Sequence, residues 1–133
     1  MVMTDKTLPI QTSEDVVRIR QFVRTEAIAA GFSLVDQTKF VTAASELARN
    51  TLDHGAGGVM RIEPIDRDGR KGLRLIFEDQ GPGIENIEQA LSDGYTTGGG
   101  LGLGLSGARR LSNEFSIESQ IGKGTRVTIA RWK

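Results

Sequence analysis

The chain has 133 residues, in which 17 Lys and Arg balance 17 Asp and Glu, with one histidine and no cysteine. This length suits a single domain with one core, so we take residues 1–133 as one domain. The balanced charge gives no field that would attract nucleic acid or a membrane. The absence of cysteine excludes disulfides and thiolate chemistry, and neither a signal peptide nor a membrane-spanning segment is recognisable. We therefore expect a cytoplasmic protein.

The first predicted elements are a short edge strand and a helix. Residues 4–11 contain apolar residues in alternation, which predicts the strand. Residues 12–15 have the pattern of a capping box that opens a helix, and Gly31 is placed to end it. The apolar face expected for this helix consists of Val16, Ile19, Val23 and Ile28.

A second helix is predicted from residues 33–36 through residue 53, with polar residues along one side. At about 100° per residue, Glu46, Asn50 and Asp53 cluster nearly opposite the apolar side, and Arg49 and His54 flank them. Glu46, Asn50 and His54, at i, i+4 and i+8, line one stripe of the helix. Most such stripes are solvated faces, and a functional stripe is the alternative that this helix alone leaves open. The residues expected on the apolar side are Phe40, Ala44, Leu47, Ala48 and Thr51.

A hairpin is predicted next, and it ends in an acidic residue. Residues 59–65 and 73–77 read as strands around a turn at 66–70. The second strand runs into Asp79, which is followed by Gly81, Pro82 and Gly83. An acidic residue at the end of a buried strand, before a Gly-Pro-Gly turn, would place a carboxylate at the rim of a pocket beside exposed backbone.

Six glycines lie between residues 98 and 107 and alternate with leucine toward the end. Because each glycine costs backbone entropy on ordering, the run favours a function in which N–H groups approach an anion before a helix. We predict a mobile, phosphate-cradling lid at roughly residues 94–104; the alternative is a flexible linker. No strand precedes the run, and Gly122-Lys123 is followed by Gly124, so neither a Rossmann nor a Walker motif is supported.

The remaining pattern predicts short helices at residues 86–91 and 104–112 and strands at 115–119 and 125–132. A largely antiparallel sheet with helices on one face follows from this order of elements. The chain is therefore predicted to be an α+β protein.

Four motifs stand in a fixed order: Glu46-x-x-x-Asn50, Asp79-x-Gly81-x-Gly83, Gly100-x-Gly102-x-Gly104 and Gly124-Thr125. Together they resemble the N, G1 and G2 boxes and the terminal Gly-Thr of the GHKL ATPase superfamily. The residues within these motifs resemble those of the small stand-alone serine kinases of bacterial stress-response modules, the RsbT type. The resemblance implies a two-layer α/β sandwich, with a mixed, mostly antiparallel sheet, helices on one face, and ATP between helices and lid.

The resemblance also implies residue roles. Asn50 is expected to coordinate Mg²⁺ through its carbonyl oxygen, and Glu46 to act as general base on the attacking hydroxyl. Asp79 is expected to accept a hydrogen bond from the adenine amino group. Arg49 and His54 stay open between a contact to phosphate or acceptor and simple solvation. The other residues expected to bind ATP are Gly81, Gly83, Ile84, Gly98, Gly99, Gly100, Leu101, Gly102, Leu103, Gly104 and Thr125.

The function implied by the resemblance is transfer of the ATP γ-phosphoryl group to a serine or threonine of a small STAS-domain partner. Phosphorylation would release this kinase to activate a downstream phosphatase or other effector, with no nucleic acid or membrane involved. The main alternative is a binding module that sequesters a partner, as anti-sigma factors do, with little turnover. Glu46 favours the enzyme, because a pure binder has no need of a base. A DNA-metabolism ATPase is a further alternative, against which zero net charge and the lack of a second domain argue.

Overall fold

A computed structural model of the chain describes residues 6–91 and 105–133. The sheet strands and the helices follow one another along the chain within these ranges. In order they are β1 Lys6–Ile10, α1 Ser13–Ala29, α2 Leu34–Asp53, β2 Gly58–Arg67, β3 Arg70–Asp79, α3 Ile87–Ala90, α4 Leu105–Arg110, β4 Glu114–Gln120 and β5 Gly124–Trp132.

The strands form one five-stranded sheet in the order β1-β2-β3-β5-β4. Every strand pair in the described ranges is antiparallel, so no parallel pair of the expected mixed sheet is found there. The α+β class is confirmed, and the first strand lies at the sheet edge as predicted. β3 is the central strand and is hydrogen-bonded along both sides. Asp79 is therefore the last residue of the middle strand of the sheet.

The helices pack on one face of the sheet and enclose the core between the two layers. Along β3, Leu73, Leu75 and Phe77 face the helices and are buried. The α2 side chains Phe40 and Leu47 meet them from the other layer. Alternation with a period of two on the strand and a helical stripe on α2 therefore produce the core that the sequence pattern predicts.

The helix starts follow from local capping. The Thr12 hydroxyl accepts a hydrogen bond from the backbone N of Asp15, and the Asp15 carboxylate accepts one from the backbone N of Thr12, which confirms the capping box. The apolar face of α1 continues through Ala27, whereas Ile28 is 57% exposed, so its placement in the core was wrong. Ile28 follows Val23 by five residues, which turns it away from the buried stripe. Among the described helices, none combines the length and apolarity that a membrane crossing needs.

The hairpin between β2 and β3 turns at Asp68 and Gly69. Both residues have positive φ, 54° and 80°. This is the backbone of a two-residue type I′ turn, for which Asp-Gly is a preferred sequence. The predicted turn is confirmed, and it sets the register that aligns Gly58 with Asp79 at the far end of the hairpin.

Candidate functional site

Asp79 is a buried acidic residue, 7% exposed, at the end of the central strand. Its Oδ1 accepts a hydrogen bond from the backbone N of Gly81 at 2.9 Å. In the sheet register it lies between Gly58 on β2 and Thr125 on β5. The strand end therefore holds a carboxylate in a fixed orientation beside the first residue of the Gly-Pro-Gly turn.

Two glycines allow neighbouring backbone to approach Asp79. A Cβ on Gly55 would lie 2.5 Å from Cβ and Oδ2 of Asp79, and a Cβ on Gly124, which has φ of 100°, would collide with the Asp79 carbonyl oxygen. Gly55 follows His54, the C-cap of α2, and its backbone N donates to the carbonyl of Asn50 at 3.3 Å. The end of α2 is thereby brought onto Asp79, a contact that the sequence analysis missed although Gly55 follows the polar stripe.

A hydroxyl network connects the Gly-Pro-Gly turn to β4 and β5. The backbone N of Ile84 donates to Oγ of Ser119 at 2.7 Å, and the same Oγ lies 2.8 Å from Oγ1 of Thr125. Ser119 was not among the residues predicted from the sequence. Its signal was available, because Ser119 continues the inward-facing apolar alternation of Phe115 and Ile117 with a polar side chain.

The expected polar stripe of α2 is partly buried. Asn50 is 8% exposed and belongs to the buried arc of the helix, whereas Glu46 is exposed. The prediction that Glu46, Asn50 and Asp53 lie nearly opposite the apolar side was therefore wrong for Asn50, because the edge of the helix that carries Asn50 packs near the strand ends. Oδ1 of Asn50 and Nε2 of His54 are buried and have no hydrogen-bond partner among the described residues.

The solvent side of α2 carries charged residues close to the stripe. Glu46 and Arg49 are both exposed, and Nη1 of Arg49 donates to Oγ of Ser13 at the start of α1, 3.3 Å away. A macromolecule that docks on this side of the helix can reach a carboxylate and a guanidinium directly.

The donor set at Asn50 fits a hard cation bound together with phosphates. A carbonyl-type oxygen that is buried and has no protein partner is a ligand suited to Mg²⁺. No group of three or more His, Cys, Asp or Glu in the described parts of the chain could hold a metal ion. Among the described residues, Oδ1 of Asn50 is thus a buried oxygen that such an ion could take as a ligand.

Two cavities adjoin the strand end. One of about 570 Å³ is lined by residues that include Asp79, Ser119 and Thr125. A second of about 440 Å³ lies against Asp79 and the loop that contains Gly55. Both volumes fall in the range of small-molecule sites. Asp79 borders each cavity, so its surroundings can receive a ligand.

The remaining predicted residues fall into two groups. Gly83 has φ of 79°, and a Cβ there would collide with the carbonyl oxygen of Gln120, so glycine is required. Ile84 is buried and packs in the core. The predicted lid residues Gly98, Gly99, Gly100, Leu101, Gly102, Leu103 and Gly104 lie outside the described residues.

A family model matches the part of the chain that carries Asp79, Asn50 and Thr125. Residues 35–133 match the family described as histidine kinase-, DNA gyrase B-, and HSP90-like ATPase. The chain belongs to this family, and the superfamily resemblance is confirmed.

Within the family, the chain is 46% identical over 123 residues to the serine/threonine-protein kinase RsbT of Bacillus subtilis, covering 92% of each chain. This similarity confirms the prediction of a kinase of this type. The chain is also 35% identical over 105 residues to an anti-sigma F factor of Clostridium kluyveri, covering 74% of this chain and 72% of that one.

A solved structure shares the fold. The crystal structure of the RsbU and RsbW domains of a Mycobacterium tuberculosis protein superposes with a TM-score of 0.66 at 19% identity. The match covers 98% of this chain and 33% of that longer one. At this identity the likeness establishes the architecture and nothing about the ligands.

Proposed function

We propose that the protein transfers the γ-phosphoryl group of ATP to a serine or threonine of a small STAS-domain partner. The observation that carries this proposal is on α2. There, Oδ1 of Asn50 is buried without a partner in the described ranges, and the carboxylate of Glu46, one turn earlier, is exposed. A metal-binding oxygen inside and a base outside on one helix suit a reaction between a bound nucleotide and a docked protein.

The nucleotide is held by two sets of residues in this proposal. Asp79 accepts a hydrogen bond from the adenine amino group, and the Thr125 hydroxyl contributes to the same edge of the base. On α2, Asn50 would hold Mg²⁺, and the bound ion would supply neutralisation of the phosphate charge. Nε2 of His54 lies one turn beyond Asn50 and supports this placement, because it is a second buried atom that lacks a partner in the described ranges.

Glu46 acts on the partner. Its carboxylate takes the proton of the attacking hydroxyl as the hydroxyl oxygen forms a bond to the γ-phosphorus. The bond from that phosphorus to the bridging oxygen breaks, so the products are the phosphorylated partner and ADP. Because phosphoryl transfer has a loose transition state in most analyses, positioning contributes most of the rate and the base contributes a smaller part.

The way in which the partner docks and the effect of its phosphorylation are also proposals. The partner meets the solvent side of α2, where Arg49 stands next to the base. Its phosphorylation ends the complex, and the released kinase then activates a phosphatase or another effector. The similarity to RsbT supports this place in a partner-switching module.

The test is phosphoryl transfer from labelled ATP to a purified STAS-domain protein from the same host, with two variants. Asn50→Ala should weaken Mg-ATP binding and transfer together. Glu46→Gln should bind Mg-ATP and the partner nearly as the wild type does, with transfer slowed by about 10²-fold. Asp53→Asn is the matched control, because Asp53 is another exposed acidic residue of α2.

The outcomes separate the roles. A wild-type transfer rate in Glu46→Gln would show that Glu46 is not the base. Loss of transfer in Asp53→Asn as well would assign the effect to the charge of the helix face rather than to a positioned carboxylate.

A second candidate function is sequestration of a partner with little turnover. The similarity to anti-sigma F factors favours it. It requires that the wild type retain the partner in a stable ATP-dependent complex while the partner stays unlabelled. Measuring complex formation and label in the same reaction decides between the two.

A further inference from the structure

Ser119 lies near the end of β4, on the side of the sheet that faces the helices, and connects two parts of the candidate site. Its Oγ accepts from the backbone N of Ile84 at 2.7 Å and lies 2.8 Å from Oγ1 of Thr125. The same Oγ is 3.2 Å from the carbonyl oxygen of Gly124. One half-buried hydroxyl therefore joins the turn after β3 to the start of β5.

The hydrogen-bonding capacity of Ser119 decides what Thr125 can offer to a ligand. A serine hydroxyl has a single proton to donate. If Ser119 donates it to the Gly124 carbonyl, the Thr125 proton points to Ser119 and Thr125 offers lone pairs. If Ser119 donates to Thr125, the Thr125 proton is free for a ligand. In both arrangements Ser119 fixes the position and the orientation of the Thr125 hydroxyl.

We propose that Ser119 is a positioning residue for recognition of the nucleotide base. It holds the Thr125 hydroxyl and the backbone at Ile84 as one rigid edge beside Asp79, which pairs with Thr125 in the sheet. This inference rests on the proposed function, because it places ATP in the cavity that Asp79, Ser119 and Thr125 line. Ser119 acts through its two neighbours, so its removal should loosen both contacts at once.

The test compares ATP affinity by calorimetry in the full chain for the wild type, Ser119→Ala, Thr125→Val and the double variant. We expect Ser119→Ala to weaken ATP binding by about tenfold and Thr125→Val to weaken it by less. The double variant should bind no more weakly than Ser119→Ala, because residues acting through one network are not additive. Ser116→Ala is the matched control, since Ser116 is exposed on the opposite face of the same strand.

A merely structural role predicts a different result. Ser119→Ala would then lower the melting temperature of the free protein while the folded protein kept its wild-type affinity, and this outcome overturns the proposal. Effects of the two substitutions that multiply in the double variant overturn it as well. Ser119→Thr, which retains the hydroxyl, should recover at least part of the affinity.

Two further outcomes have fixed meanings. If Ser119→Ala does not fold, Thr125→Val decides, and wild-type affinity in that variant overturns the proposal. If the wild type does not bind ATP, the proposed function fails and this inference fails with it. ATP binding by the wild type together with unchanged affinity in Ser119→Ala overturns this inference alone.

Discussion

The strand-end half and the α2 half of the candidate site differ in how their polar atoms are satisfied. At the strand end, the Asp79 carboxylate accepts from Gly81, and the Ser119 and Thr125 hydroxyls bond to each other. On α2, the buried Oδ1 of Asn50 and Nε2 of His54 have no partner in the described ranges. A buried polar group left unpaired costs about 1–3 kcal/mol. The strand end is thus preorganised, whereas α2 carries a cost that a ligand can relieve.

The two halves of the site therefore have opposite effects on the stability of the free protein. Groups at the strand end stabilise the fold and, in the proposed function, also recognise the ligand. The unpaired Oδ1 of Asn50 destabilises the free fold and, in the proposed function, would gain its partner on binding. Substitutions in the two halves should therefore be distinguishable by measuring stability and affinity side by side.

The largest effect is expected at Asp79. Asp79→Asn keeps an oxygen that can accept from Gly81, but its amide nitrogen then faces the adenine amino group, donor against donor. We expect ATP affinity to fall at least 100-fold in calorimetry, because a site built around a buried polar contact discriminates strongly. The folded structure should persist in circular dichroism.

Glu63→Gln is the control for this substitution, since Glu63 is a half-buried carboxylate of the same sheet that pairs with Arg74 and lines neither of the two cavities. Wild-type ATP affinity in Asp79→Asn would refute the assignment. Equal binding of GTP and ATP by the wild-type protein would refute it too.

A smaller effect is expected at Asn50. Its substitution should raise the stability of the free protein and weaken Mg-ATP binding. Asn50→Leu replaces a side chain whose buried Oδ1 has no partner among the described residues with an apolar side chain of similar size, so the free energy of unfolding should rise by about 1 kcal/mol. Thermal unfolding of the free protein should shift upward by about 4 °C, while Mg-ATP binding weakens.

Thr51→Val provides the comparison, because the Thr51 hydroxyl is buried but donates to the Leu47 carbonyl at 2.8 Å. Removing a satisfied hydroxyl should not stabilise the protein. A lower melting temperature in Asn50→Leu would mean that the Asn50 amide is paired in solution, and the contrast between the two halves would be lost.

The smallest effect is expected when the pH is lowered. It is a loss of stability that comes from carboxylates outside the site. The hydrogen bond from Arg131 lowers the pKa of Asp36 below its ordinary 3.8, and backbone amides, that of Gln11 above all, lower the pKa of Asp15. A carboxyl whose pKa is lower in the folded state stabilises the fold above its unfolded pKa. This stability is lost as pH falls below 3.8 through the lowered values.

Asp36→Asn should therefore reduce the dependence of unfolding on pH below about 4, measured by denaturant titration across that range. ATP affinity at neutral pH should be unchanged, because Asp36 bonds to Arg131 and Ser33, away from Asp79. An unaltered acid dependence would show that the Asp36–Arg131 pair does not persist in solution.

Features determined by near neighbours in sequence were predictable. The capping box at Thr12 and the Asp-Gly turn depend on contacts within a few residues, and period-two alternation placed Asp79 at the end of a buried strand. The order of the four motifs then identified the family, because any one of the motifs alone would be weak and all four occur together.

Features determined by packing between distant elements were not predictable. Asn50 is buried because the end of α2 lies on the strand ends, a contact made through Gly55 and Asp79. Ser119 acquires its neighbours from a turn 35 positions earlier in the chain. Ile28 is apolar yet exposed, since the helical phase and not the residue type sets which side is covered.

The pairing of β3 with β5 also has a consequence for the length of the chain between them. It joins residues 72–79 to residues 125–132, so the segment 80–124 is closed as one loop when these two strands meet. The entropy of closing a loop grows only with the logarithm of its length, and doubling it costs roughly 0.6 kcal/mol. Insertions or deletions within the glycine-rich run should therefore change the free energy of closing this loop little, so the β3–β5 pairing by itself sets no strict limit on the length of that run.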